Sequence, residues 1–188
     1  MACLNRKFHL RTWLCGVVLA CTTTSLARAT TYYVSPSGSD RAAGSTIAPW
    51  KTINYAAGRA HAGDTVVVKA GVYRESVIVK RGGSASAPLT VRGLAGAALE
   101  SPNGNLSLSA FDFNAGVAFV RLQNFELRGG FDETVFLRAG AHDIELASLI
   151  IHDNHTGIWV GGAYRVVIRD SFLHHNFRTG VRIFAGAP

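Results

Sequence analysis

The chain has 188 residues, 19 Lys and Arg against 12 Asp and Glu, and a formal charge of +7. That length suits one domain with a continuous core. Four basic residues, Arg6, Lys7, Arg11 and Arg28, lie within the first 29 positions, so residues 30–188 carry 15 basic and 12 acidic groups, a modest +3. The high overall charge therefore belongs mostly to the N-terminus and argues against a nucleic-acid partner.

Arg6, Lys7 and Arg11 precede an uncharged apolar run from Thr12 to Ala20, and Ala27-Arg28-Ala29 follows as a small-x-small step. This order predicts a secretory signal peptide over residues 1–29, and with it a secreted protein, extracellular or periplasmic. The apolar run is too short to span a bilayer, and nothing later in the chain is long and apolar enough. Val18-Leu19-Ala20-Cys21 resembles a lipobox, which would instead leave a lipid anchor on Cys21. A cut after Ala29 removes all three cysteines, Cys3, Cys15 and Cys21, and so excludes a disulfide framework, a thiolate metal site and a cysteine nucleophile.

Next in chain order, Ile53, Ala56, Ala57 and Ala60 share one face of a short amphipathic helix between Trp50 and Ala60. Such a helix can cover the open end of a solenoid. Thr65–Lys69, Ser76–Lys80, Leu89–Arg92 and Leu106–Ser109 read as short strands, about two irregular coils.

From Ala118 the chain repeats itself. Three lines starting at Ala118, His142 and Tyr164 superimpose, aligning Val120 with Ile144 and Val166, Leu122 with Leu146 and Ile168, and Leu127 with Ile151 and Leu173. Short alternating apolar runs at this period, broken by Asn and Gly, mean one unit stacked on its own copies. No line holds a helix pair, and the leucine-rich pattern is absent. The prediction is an all-β fold, a right-handed parallel β-helix of three strands per coil over residues 30–188, with a short N-terminal capping helix. Asn154 and Asn176 stack at its turns, Gly157 and Gly180 follow them, and these Asn and Gly residues are expected to supply the left-handed backbone that such corners require. The chain stops just after a complete coil, which predicts either a piece of a longer solenoid or an end that pairs with further coils or another chain.

Tyr32–Asp40, Ala48–Ala57 and Ala62–Glu75 together resemble the opening of secreted bacterial right-handed β-helix proteins, including polysaccharide lyases of the pectate lyase type. The resemblance runs from Thr31 to Ala187. It implies an acidic, uronate-containing polysaccharide as partner, β-elimination as reaction, Ca²⁺ held by carboxylates as cofactor, and a lysine or arginine as base. The same opening precedes non-catalytic surface modules, so an adhesion module and a fragment without activity of its own stand beside the enzyme.

In a stacked fold the units of chemistry are columns of aligned residues. Arg128, His152 and His174 form one polar column, with Asp153 and His175 beside it. They are either a cationic stripe that grips a polyanion or solvated strand ends. Asp132, His155 and Arg178 form a second, with Glu133 beside it, offering a carboxylate, an imidazole and a guanidinium for acid–base work or for an ion-paired turn. Asp132 with Glu133 is the best adjacent acidic pair for Ca²⁺, but too sparse for a cage. His152, His155, His174 and His175 lack a zinc-site spacing. Trp159 alternates with Ile158 and Val160, so it is expected to face outward, where it can stack on a sugar ring.

Overall fold

The computed structural model describes residues 29–102 and 107–184. The expected signal peptide, the cysteines and Leu106 lie outside the described residues. Among these residues, sixteen strands form three parallel sheets that wind as a right-handed β-helix of about five turns. The first sheet holds β1 (Thr31–Val34), β2 (Thr65–Val68), β5 (Leu89–Gly93), β8 (Ala118–Gln123), β11 (His142–Ala147) and β14 (Tyr164–Arg169). The second holds β3 (Gly71–Arg74), β6 (Ala97–Glu100), β9 (Glu126–Arg128), β12 (Ile150–His152) and β15 (Phe172–His174). The third holds β4 (Val77–Val79), β7 (Phe111–Phe113), β10 (Glu133–Leu137), β13 (Thr156–Gly161) and β16 (Thr179–Phe184).

The stacking register is the one the repeat predicts. Val120, Ile144 and Val166 pair across β8, β11 and β14, as do Leu122, Leu146 and Ile168. Leu127, Ile151 and Leu173 pair across β9, β12 and β15. Leu122, Leu127, Leu146 and Ile151 are fully buried, Phe125 and Phe131 fill the same coil as Leu122, and the coil before it extends the core with Phe111 and Phe113. In the last coil Val166, Ile168 and Leu173 pack on the core but stay partly exposed, because no described coil lies beyond them.

The N-terminal helix α1 (Ile53–Arg59) forms where its apolar face predicts, with Ile53, Ala56 and Ala57 buried. Thr52 caps it by accepting from the Tyr55 amide, and the Glu75 carboxylate accepts from the Ile53 and Asn54 amides, which have no partner within the helix. Asn54 also accepts from the Ile78 amide, so the helix satisfies part of the edge of β4.

Two expectations change. Ser107–Ser109 is irregular, whereas β3, β6 and β7 are strands that the periodicity did not show. Ala97-Ala98-Leu99-Glu100 and Phe111-Asp112-Phe113 are too short and too poor in β-branched residues to declare themselves, and their pairing with β3, β9, β4 and β10 decides their conformation. At these two turns, the left-handed residues are Asp153 and His175, not Asn154, Asn176, Gly157 or Gly180. Gly157 serves close packing instead: a Cβ there would sit 2.3 Å from the Gly180 carbonyl oxygen. The expected Asn stack is present. Asn154 accepts from the Gly130 and Phe131 amides and donates to the Leu127 and His152 carbonyls, while the Asn176 side chain accepts from the Asn154 amide and donates to the Ile151 carbonyl.

Candidate functional site

The turns between the second and third sheets carry both polar columns. Arg128, His152 and His174 align in β9, β12 and β15, as expected. The column continues upward through Glu100 and Arg74, however, so an acid separates its two arginines. Arg128 donates to Glu100 at 2.9 and 3.1 Å and pairs with Glu126 at 2.5 Å. His152 bonds Asp153 through Nδ1 at 2.7 Å and Glu126 through Nε2 at 3.1 Å, and its ring stacks on His174. Burial pulls the His152 pKa down, but the bonds to Asp153 and Glu126 outweigh it and hold the pKa above the usual imidazole value. Neutralised by Glu100, Glu126 and Asp153, this column is a network rather than a bare cationic stripe.

The second column is more open. His155 sits one coil below Asp132 because its amide donates to the Phe131 carbonyl, and its Nδ1 lies 2.6 Å from Asp132 Oδ1. With Nδ1 engaged, Nε2 has no partner among the described residues. An ionised carboxylate on Nδ1 fixes the tautomer that leaves a lone pair on Nε2, the arrangement of a general base. The ring stacks on Phe177 at 5.5 Å and lines a 430 Å³ cleft shared with Gly130, Asp153, Asn154, His175 and Phe177.

Arg178 departs from the expected triad. Its amide donates to the His155 carbonyl, keeping the backbone register, yet Phe177 supplies the side chain against His155 and the Arg178 guanidinium has no partner among the described residues. A turn holds its residues at differing angles to the strands, so backbone alignment does not stack every side chain. Beside this turn, burial and then Asp132 push the Glu133 pKa above the usual carboxylate value, against its own amide, His155 and Arg182.

Trp159 lies on the outer face of the third sheet, as alternation predicts. It pairs in register with Phe136 on one side and Arg182 on the other. Phe136 packs at 5.6 Å and the Arg182 guanidinium lies 4.5 Å from the indole centroid, so its protein neighbours already occupy the ring. Phe136, Arg138, Asp112 and Arg182 complete this outer face. Arg138 pairs with Asp112 through two 2.7 Å bonds. The alternation of β7, β10 and β16 is the signal that would have found them.

The donor set does not suit the Ca²⁺ that the resemblance implies. Asp132 Oδ1 is engaged by His155, and among the described residues no three His, Cys, Asp or Glu side chains converge on one point.

No family model matches the chain. In sequence it is 30% identical over 151 residues to YwoF, an uncharacterized protein of Bacillus subtilis, covering 75% of this chain and 28% of that one. It is 35% identical over 101 residues to the pectate lyase PEL9 of Emericella nidulans, covering 50% of this chain and 25% of the other. Among solved structures, pectate lyase Pel9A superimposes with a TM-score of 0.68 at 16% identity, over 82% of this chain and 42% of that one. The chain has the parallel β-helix fold of pectate lyase-like proteins. A rhamnogalacturonan lyase shares this pectate lyase-like β-helix with a TM-score of 0.56 at 18% identity, over 75% of this chain and 43% of its own. The chain thus spans about a quarter of the length of these curated relatives and under half of the two solved lyases. Among the described residues no helix is long and apolar enough to cross a membrane.

Proposed function

We propose that this is an exported, polysaccharide-lyase-like β-helix protein that receives an acidic polysaccharide along the turns joining its second and third sheets. The observation that carries the reading is the Asp132–His155 pair. It presents an unpartnered imidazole nitrogen on a residue that lines a cleft, and Arg178, whose amide is bonded to the His155 carbonyl, adds a partner-free guanidinium from the same turn. A uronate carboxylate suits the guanidinium, and a sugar hydroxyl or ring proton suits the nitrogen. The partial identity to a pectate lyase supports the substrate class. Export rests on the leader-like order of Arg6, Lys7, Arg11, the apolar run and Ala27-Arg28-Ala29.

A second reading, a glycan-binding surface module without catalysis, is favoured by the poor fit of Asp132 and Glu133 to Ca²⁺. Two measurements on residues 30–188 test both. Trigalacturonate should bind, and His155→Ala and Arg178→Ala should each weaken it; unchanged affinity in both variants removes this turn from consideration. With polygalacturonate and calcium, ultraviolet absorbance from unsaturated uronate ends should stay flat. A calcium-dependent rise lost in His155→Ala or Arg178→Ala would make the chain an enzyme by itself.

A further inference from the structure

Asp64, the last residue of the turn between α1 and β2, is the one buried Asp or Glu among the described residues, at 5% exposure. Its Oδ2 accepts from the His61 amide at 2.8 Å, and its own amide donates to the His61 carbonyl, which closes the turn. Its Oδ1 accepts, also at 2.8 Å, from the amide of Thr30, 34 positions earlier. No cationic side chain pairs with it among the described residues. By contrast Glu100, Asp112, Glu126, Asp132, Asp143 and Glu145, all more exposed, each hold an arginine or an imidazole. A desolvated carboxylate held by two neutral amides is the costly case, because nothing balances its charge.

The Thr30 nitrogen is held in place by the sheet. Thr30 and Asp64 stand one residue before the Thr31 and Thr65 pair of the β1–β2 ladder, and the Thr30 carbonyl accepts from the Thr65 amide at 2.9 Å. Ala29, Thr30 and Thr31 are exposed, so the Ala29–Thr30 bond lies at the surface. It is also the bond that Ala27-Arg28-Ala29 marks for cutting.

We propose that cleavage after Ala29 turns the Thr30 nitrogen into the counter-ion that Asp64 lacks, so that removing the leader locks the first strand onto the turn after the capping helix. A leader peptidase of the exporting cell hydrolyses the bond: the C–N bond breaks, the oxygen of one water goes to the Ala29 carboxylate, and both its hydrogens go to the Thr30 nitrogen. Nothing is oxidised or reduced. Before the cut this nitrogen is a neutral amide with one N–H. After it, an ammonium with three donors occupies the same place, and the 2.8 Å contact becomes a charge-assisted bond between opposite charges. The gain arrives only once the leader is gone. A cut before Cys21 would leave Thr30 an amide and Asp64 without its partner.

The inference rests on the export reading given under Proposed function, and two arms of the test keep them apart. In the first, the full chain is expressed in a secreting bacterial host and the exported protein is sequenced from its N-terminus. Thr30 should come first. An exported chain cut at another bond, or uncut, overturns the pair and leaves export standing; a chain retained inside the cell overturns both. In the second, chains starting at Thr30 and at Ala29 are released from a cleavable fusion and unfolded in urea, each with and without Asp64→Asn. Moving the ammonium one residue away should lower the folded-to-unfolded ratio about tenfold in the Asp64 chains and leave it unchanged in the Asp64→Asn chains. Equal stability of the two Asp64 chains overturns the proposal. A measurement on the unsubstituted chain stands beside this, since Asp64→Asn also disturbs the His61 turn. Followed by NMR, the Thr30 α-amine should titrate above its ordinary value of about 7.7–8.0. His61 and Arg81, bonded to each other at 3.2 Å at the same corner, would lower it, so a raised value reports Asp64. An amine at or below the ordinary value overturns the pair.

Discussion

Leu146→Ala tests the stacking register at its centre. Leu146 is fully buried in β11, with Leu122 above and Ile168 below in the same column. At ~0.8 kcal/mol per methylene-sized group, removing the side chain beyond Cβ loses about 2 kcal/mol of transfer free energy. The cavity left between two coils adds to this, because rungs tied by parallel ladders cannot close around it. The expected loss is therefore about 2–5 kcal/mol. Ile168→Ala, in the partly exposed last described coil, should cost less, since its site is already open on one side. Urea unfolding of residues 30–188, followed by circular dichroism, gives both values if the midpoint moves without a change in slope. A loss below about 0.5 kcal/mol for Leu146→Ala, the size expected of a surface substitution, would refute the register. So would a larger loss for Ile168→Ala.

Two glycine variants should change stability in opposite directions. Gly58→Ala, inside α1 with open space around its Cβ position, should stabilise by up to about 1 kcal/mol, whereas Gly157→Ala forces a Cβ against the Gly180 carbonyl and should destabilise. The His152 network should show a pH window. A histidine whose folded pKa is raised contributes stability below its unfolded value of about 6.5 and loses it as pH rises through the folded one. Glu126 is pushed up by burial but pulled further down by His152 and Arg128, so its contribution is lost as pH falls through a folded value that lies below the ordinary carboxylate value. The stability gap between wild type and His152→Gln should accordingly be widest between about pH 4.5 and 6.5 and narrow on both sides; a gap that does not vary with pH would remove the network. Trigalacturonate binding should weaken with added salt, since exposed arginines are screened within about 10 Å at 0.1 M; salt-insensitive binding would exclude charge recognition.

Much of the architecture was legible along the chain, because a solenoid core is written as a period. Each coil must bury the same positions against its neighbours, so Val120, Ile144 and Val166 announce themselves by spacing alone. The helix over the N-terminal end was readable for the same reason, from one apolar face. The column of Arg128, His152 and His174 and the outward side of Trp159 also followed from alternation. Tertiary structure decided what those residues meet. Glu100 neutralises Arg128 only because β6, an irregular strand invisible to periodicity, pairs with β9 in that register. Phe177 rather than Arg178 lies against His155 because turn residues leave the strand direction, and the left-handed positions fell on Asp153 and His175 because the backbone corner precedes the Asn stack.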